Sequence, residues 1–178
     1  RAYQANENAM SLYRELAETH PERYTHYLAT AYHNAGIYTL ETSSWPQAAS
    51  FLSRALALRR DLEAKEPGAF RADFCATALN LLEFYQRKLE EEKNLEFKAL
   101  GLALLGETAG YLEDLPELPA TENMKSDFGY FEKYFIAVDE EEVRTLDILQ
   151  KIRTWDHEID STLVVDEKKG FQDQILGI

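Results

Sequence analysis

"LATAYHNAGIY", residues 28–38, and "CATALNLLEFY", residues 75–85, are the two stretches that decide how this chain folds. They begin 47 residues apart, and each carries an Ala-Thr-Ala core followed by apolar residues at helical spacing. The segments in front of them also match. "AMSLYRELAETHP" (9–21) aligns with "ALALRRDLEAKEP" (55–67) at an offset of 46 residues. One such match arises easily by chance. Two in series, on consecutive helices and in nearly the same register, mark one structural unit used twice.

Outward from these stretches, apolar residues recur with the helical period almost everywhere. Met10, Tyr13, Leu16 and Ala17 form one stripe, which ends at His20-Pro21 because a residue before proline is pushed out of the α region. A second helix is expected from Tyr24 to about Glu41, broken by "TSSWP" at 42–46 with Ser44 as N-cap. A third runs to Lys65 through Ala48, Leu52, Ala55, Leu58 and Leu62, and stops at "EPG", residues 66–68. Two more are expected over about 69–91 and 93–113. Gly101, Gly106 and Gly110 weaken the latter by up to about 1 kcal/mol each and point to close approach of another helix. "DLPELPATEN" (114–123) reads as a linker. Helices over about 122–136 and 139–158 follow, the last with a stripe of Val143, Leu146, Leu149, Ile152, Trp155 and Ile159. "STLVV" (161–165) reads as extended or irregular, and "FQDQILGI" (171–178) as a short terminal helix. The pattern predicts an all-α chain.

Composition narrows the function. A chain of 178 residues is long enough for one domain with a core. A mean hydropathy of -0.43 with 45% hydrophobic residues is the balance of a globular protein. The net charge of -13 repels phosphate backbones and anionic lipid surfaces, so nucleic acid is not an expected partner. No apolar run reaches the roughly 18 residues that span a bilayer, so no membrane insertion is expected, and the setting expected is cytoplasmic. Cys75, the single cysteine, sits among apolar residues and reads as a small core side chain.

The stretch "ATAYHNAGIYTLETSSWPQAASFLSRAL" (29–56) resembles the tetratricopeptide repeat family. Tyr32 takes the family's first aromatic place, Gly36 its glycine, Trp45 the aromatic at the turn, and Ala48 and Ala55 the small packing positions. Thr39 stands where the family usually has Tyr, and Ser43 where it has the turn glycine. Pro67 comes late, so the second helix is about two turns longer than usual, similar to the long repeats of kinesin light chains. The following unit, 76–103, has Glu83 in place of the glycine and keeps Ala103. The resemblance implies an α-solenoid of helical hairpins over residues 1–115, its first repeat truncated. A diverged hairpin and C-terminal capping helices fill 116–178. Ala2 and Ala9 match Ala48 and Ala55, so further repeats are expected ahead of Arg1 in a longer parent protein.

No catalytic constellation stands out. His20, His26, His33 and His157 lack partner ligands at metal-binding spacing. The acidic runs "LEEEKNLE" (89–96) and "DEEE" (139–142) read as solvated turns and first helical turns. Neither an enzyme, a cofactor nor a metal is expected. The family resemblance places a concave ligand face on the first helix of each hairpin. Here that face comprises Thr30, His33, Ile37, Leu40 and Glu41, then Thr77, Asn80, Phe84, Arg87 and Lys88. Arg87 and Lys88 stand out as cations able to meet a carboxylate ligand, with pairing to Glu90, Glu91 or Glu92 as the alternative. The carboxylate clamp of chaperone-binding members is not matched, since His33 and Thr77 hold its places. "FGYFEKYF" (128–135) offers a second surface: Phe128, Phe131 and Phe135 form a stripe flanked by Tyr130 and Tyr134, read first as core packing. The function expected is a protein–protein interaction module or scaffold holding a peptide or helix of a partner. The alternatives are a homodimerisation module and a peptide-sensing regulatory domain of a larger protein.

Overall fold

The computed structural model describes residues 2–42, 45–148 and 151. Six helices follow one another: α1 (Ala2–Thr19), α2 (Pro21–Glu41), α3 (Trp45–Lys65), α4 (Arg71–Glu92), α5 (Leu95–Glu113) and α6 (Pro119–Ala137). Residues 140–148 are helical as well, and no strand occurs among the described residues. The expectations for Ser43, Ser44 and His157, for the stripe beyond Ile148, and for the segments 161–165 and 171–178 lie outside the described residues.

Each boundary has a local cause. His20 leaves the helical region at φ -137°, ψ 67°, and Pro21 opens α2 at its first position, where its missing N–H costs nothing. Gly68 turns the chain between α3 and α4 at φ +95°. The Glu63 carboxylate fastens that turn by accepting from the Gly68 and Phe70 backbone N–H at 2.6 and 3.1 Å and from Arg71 at 2.8 Å. Burial alone would raise the Glu63 pKa, but these donors overcome it and the net shift is downward. Lys93 adopts the left-handed conformation, φ 53°, and Asn94 Oδ1 then caps α5 by accepting from Glu96 N at 2.9 Å. The linker expected over 114–123 is shorter than its sequence suggests. Pro119 starts α6, and Thr121 Oγ1, three residues on, accepts the Leu118 N–H at 2.9 Å and so satisfies the backbone donor at the N-cap.

Consecutive helices pack against each other from α1 to α6, and α6 also packs on α4. Side-chain pairing among α2, α4 and α6 keeps one sequence separation. His33 meets Thr77, and Gln86 meets Tyr130, both 44 residues apart. The α2–α4 and α4–α6 pairs therefore share a register, one turn short of the sequence repeat.

The larger core centres on Phe74, Leu82 and Phe135 and runs unbroken from Leu52 to Val143, across the 114–118 connection. A smaller one gathers Leu28, Tyr32 and Ala55 under Met10, Tyr13 and Phe51 at the α1 end. Two glycines make this packing possible. A Cβ on Gly36 would stand 2.6 Å from Leu52 Cγ, and one on Gly101 would stand 2.5 Å from the Phe135 ring. The close approach expected at Gly106 and Gly110 does not occur. Nothing lies within 4 Å of a Cβ built at either, so they only loosen α5.

Cys75 is fully buried, and desolvation pushes its thiol up to about 12. In the native chain it should react with an aromatic disulfide reagent more than about 100-fold slower than in the urea-unfolded chain. Parallel time courses of reagent absorbance check this. Equal rates would put the thiol at the surface.

Candidate functional site

A groove of about 630 Å³ lies between α4 and α6. Its apolar floor is Ala76 and Leu79 from α4 with Met124 and Phe131 from α6. Asn80 and Gln86 stand on one wall and Tyr130 on the other, and the charged positions are Glu83, Arg87, Glu90 and Asp127. These residues recur every three or four positions because each wall is one helix face. From Ala76 to Glu90 that face runs about 21 Å at 1.5 Å per residue.

The walls are tied where they meet. Gln86 Nε2 donates to the Tyr130 hydroxyl at 2.8 Å and to Glu90 Oε1 at 3.0 Å. The Tyr134 phenol is raised above its ordinary pKa, first by burial and then by the charge of Glu90 and a hydrogen bond to it. Arg87 is committed twice on its own side, pairing with Glu83 at 2.7 Å and lying 4.6 Å from the Trp45 ring centroid. Lys88 donates to Glu91 at 3.2 Å and Glu92 at 2.8 Å, and these bonds, Glu92 first, raise its pKa. Glu83, Glu91 and Glu92 thus already satisfy both cations that were candidates for a carboxylate ligand. Asp127 is exposed and has no hydrogen-bond or ion-pair partner among the described residues.

The other sequence-derived positions scatter. Thr30 is exposed and its hydroxyl donates back to His26 O at 3.0 Å. Ile37 and Leu40 are half-buried, Leu40 against the larger core. The Glu41 side chain lies outside the described ones. Thr77 and Phe84 are buried, and Phe84 packs edge-on against Phe97 at 6.1 Å between centroids. Of the ten positions, Asn80 and Arg87 line the groove.

His33 and Thr77 do come together, with Arg59, in a polar seam joining α2, α3 and α4. Arg59 Nη1 donates to Asp73 O at 2.6 Å and to Thr77 Oγ1, and lies 3.3 Å from His33 Nδ1. Thr77 Oγ1 lies 3.1 Å from the same nitrogen. Burial first, and the Arg59 charge second, lower the His33 pKa to about 4. The ring is therefore neutral at pH 7, with Nδ1 as acceptor. This seam holds the helices together. It leaves no buried side-chain polar atom unpartnered among the described residues.

Inspection of α4 alone misses the α6 wall. Its signal was present in "FGYFEKYF": Phe131 and Phe135 turn into the core while Tyr130 stays 55% exposed, and its ring forms part of the groove. Asn80 and Arg87 from the expected concave face and Tyr130 and Phe131 from the aromatic cluster lie on two sides of one furrow. No group of three or more His, Cys, Asp or Glu among the described residues is placed to hold a metal ion. No described helix is long and apolar enough to cross a membrane. Neither a protein-family model, nor a curated protein, nor a solved structure matches this chain.

Proposed function

We propose that this chain is a protein–protein interaction module of tetratricopeptide type, whose α4–α6 groove holds a peptide or helix of a partner protein. The observation that carries the reading is the groove itself: an apolar floor between two helix faces, with Tyr130 standing exposed on its wall. Tyrosine is suited to that role, because it offers a large rigid ring and a polar tip at low entropic cost. The shared 44-residue register of α2, α4 and α6 supports the repeat reading, since identical hairpins stacked in series keep one lateral offset. Homodimerisation is the second reading. Leu12 on α1 and Tyr27 on α2, 53% and 45% exposed, favour it, and a concentration-dependent dimer in sedimentation is its mark.

Panning a random twelve-residue peptide library on the purified chain tests the first reading. Peptides recovered on the parent should bind Tyr130→Ala at least about tenfold more weakly by fluorescence anisotropy. Tyr130 is exposed, so the variant should keep the parent's circular dichroism. Peptides indifferent to Tyr130→Ala would remove the groove as the binding surface.

A further inference from the structure

We infer that the segment held in the groove is basic: two lysine or arginine side chains about 10 Å apart, flanking one apolar side chain. The inference rests on the groove being the binding surface, and it concerns only what the groove selects.

Its basis is the charge left over once internal pairs are counted. Glu83 and Arg87 neutralise each other at 2.7 Å. Asp127 and Glu90 remain, one on each wall. Glu90 receives only neutral donors, Gln86 Nε2 and the Tyr134 hydroxyl. Asp127 receives none among the described residues. The 44-residue register sets Asp127 at the level of Glu83, and Glu90 two turns further along α4. Two turns are about 10 Å. Between those levels the groove presents Tyr130 and Phe131, which suit an apolar side chain.

A lysine or arginine reaching each carboxylate gains a charge-assisted bond, whereas a carboxylate from the ligand meets like charge on both walls. In an extended ligand the two cations stand about three residues apart, and in a helical one about seven. The surrounding charge of -13 acts in the same direction by drawing cationic segments to the surface from a distance. An anionic segment would have only Arg87, and to use it must displace Glu83 and the Trp45 ring.

The probes are the peptides recovered from the random library. Binding is measured on the parent, on Glu90→Lys with Asp127→Lys, and on Asp61→Lys with Glu113→Lys, exposed positions outside the groove. The two pairs change net charge equally, so any difference between them is local. The recovered sequences should be enriched in Lys and Arg at spacings of three or seven. The groove pair should weaken them at least tenfold and the outer pair less than twofold, at matched thermal stability. Peptides lost with Tyr130→Ala but rich in Asp and Glu, or indifferent to the groove pair, would overturn the basic ligand and leave the groove standing. Basic peptides weakened equally by both pairs would reduce the effect to overall charge and overturn the inference. Failure to recover any peptide sensitive to Tyr130→Ala would remove both.

Discussion

Phe135→Ala should destabilise the chain by about 3–5 kcal/mol, the usual range for emptying a buried aromatic site. Phe135 is fully buried on α6 and belongs to the core that holds Phe74 and Leu82. Its ring occupies the space that Gly101 leaves on α5, where a Cβ would stand 2.5 Å from a ring carbon. This pairing yields a sharper test than the single loss. In the parent, Gly101→Ala gains about 1 kcal/mol of helix propensity but forces a rigid ring to move, at a typical cost of about 1–3 kcal/mol. The net effect should be destabilising. With Phe135→Ala already in place the obstacle is gone, so Gly101→Ala should stabilise by up to about 1 kcal/mol. Urea unfolding of the four chains, followed by circular dichroism, gives the coupling directly. A stabilising Gly101→Ala in the parent would mean that α5 and α6 do not meet in this way.

Acidification from pH 7 to pH 4 should lower stability through His33 by up to the order of 3 kcal/mol. The shift behind this is from 6.5 to about 4. Above about pH 6.5 the ring is neutral in both folded and unfolded chains, and the seam is intact. As pH falls below 6.5 the unfolded chain takes up a proton that the folded chain refuses, so stability drops until the folded ring also titrates near 4. The hydrogen inventory explains the refusal. Arg59 Nη1 brings two hydrogens and Thr77 Oγ1 one, and they find three acceptors in Asp73 O, Thr77 Oγ1 and neutral His33 Nδ1. A proton on Nδ1 removes one acceptor and sets a second cation against Arg59, which is itself buried. The Asp73 charge on α4 acts on Arg59, holding that cation in the seam. Glu63 adds a separate loss at lower pH. Its depressed pKa contributes stability that is present above its unfolded value of 4.5 and disappears below it. The His33 contribution is therefore read between pH 6.5 and 4.5. Unfolding free energies there should flatten in His33→Asn, which retains an acceptor near the Nδ1 position but does not titrate. An unchanged pH slope in that variant would exclude His33 as the source.

The candidate site was legible only in halves. Asn80 and Arg87 were reachable because a repeat resemblance says which helix of a hairpin faces a ligand. Thr77 and Phe84 share that helix yet point into the protein. In α4, buried positions occupy more than one face: Phe74, Thr77, Leu81 and Phe84 lie on one, and Cys75, Leu79 and Leu82 on another. Such a helix packs on α3, α5 and α6 at once, so its apolar stripe is broad and its periodicity does not tell which side is left open. The same ambiguity hid the roles of the α5 glycines. Only Gly101 faces Phe135, and nothing in the local spelling separates it from Gly106 and Gly110.

By itself, the sequence determined the helices and most of their ends. Helical period, prolines at first-turn positions and glycine at a left-handed turn act over a few residues, and those residues are adjacent in the chain. The 46- and 47-residue matches likewise pointed to a recurring unit. The tertiary structure decided what lies beside what: the 44-residue register, the seam of His33, Arg59 and Thr77, and the groove between α4 and α6. These depend on side chains from separate helices meeting at van der Waals distance. Such contacts are selected by the shape of the whole packed array, which no single segment encodes.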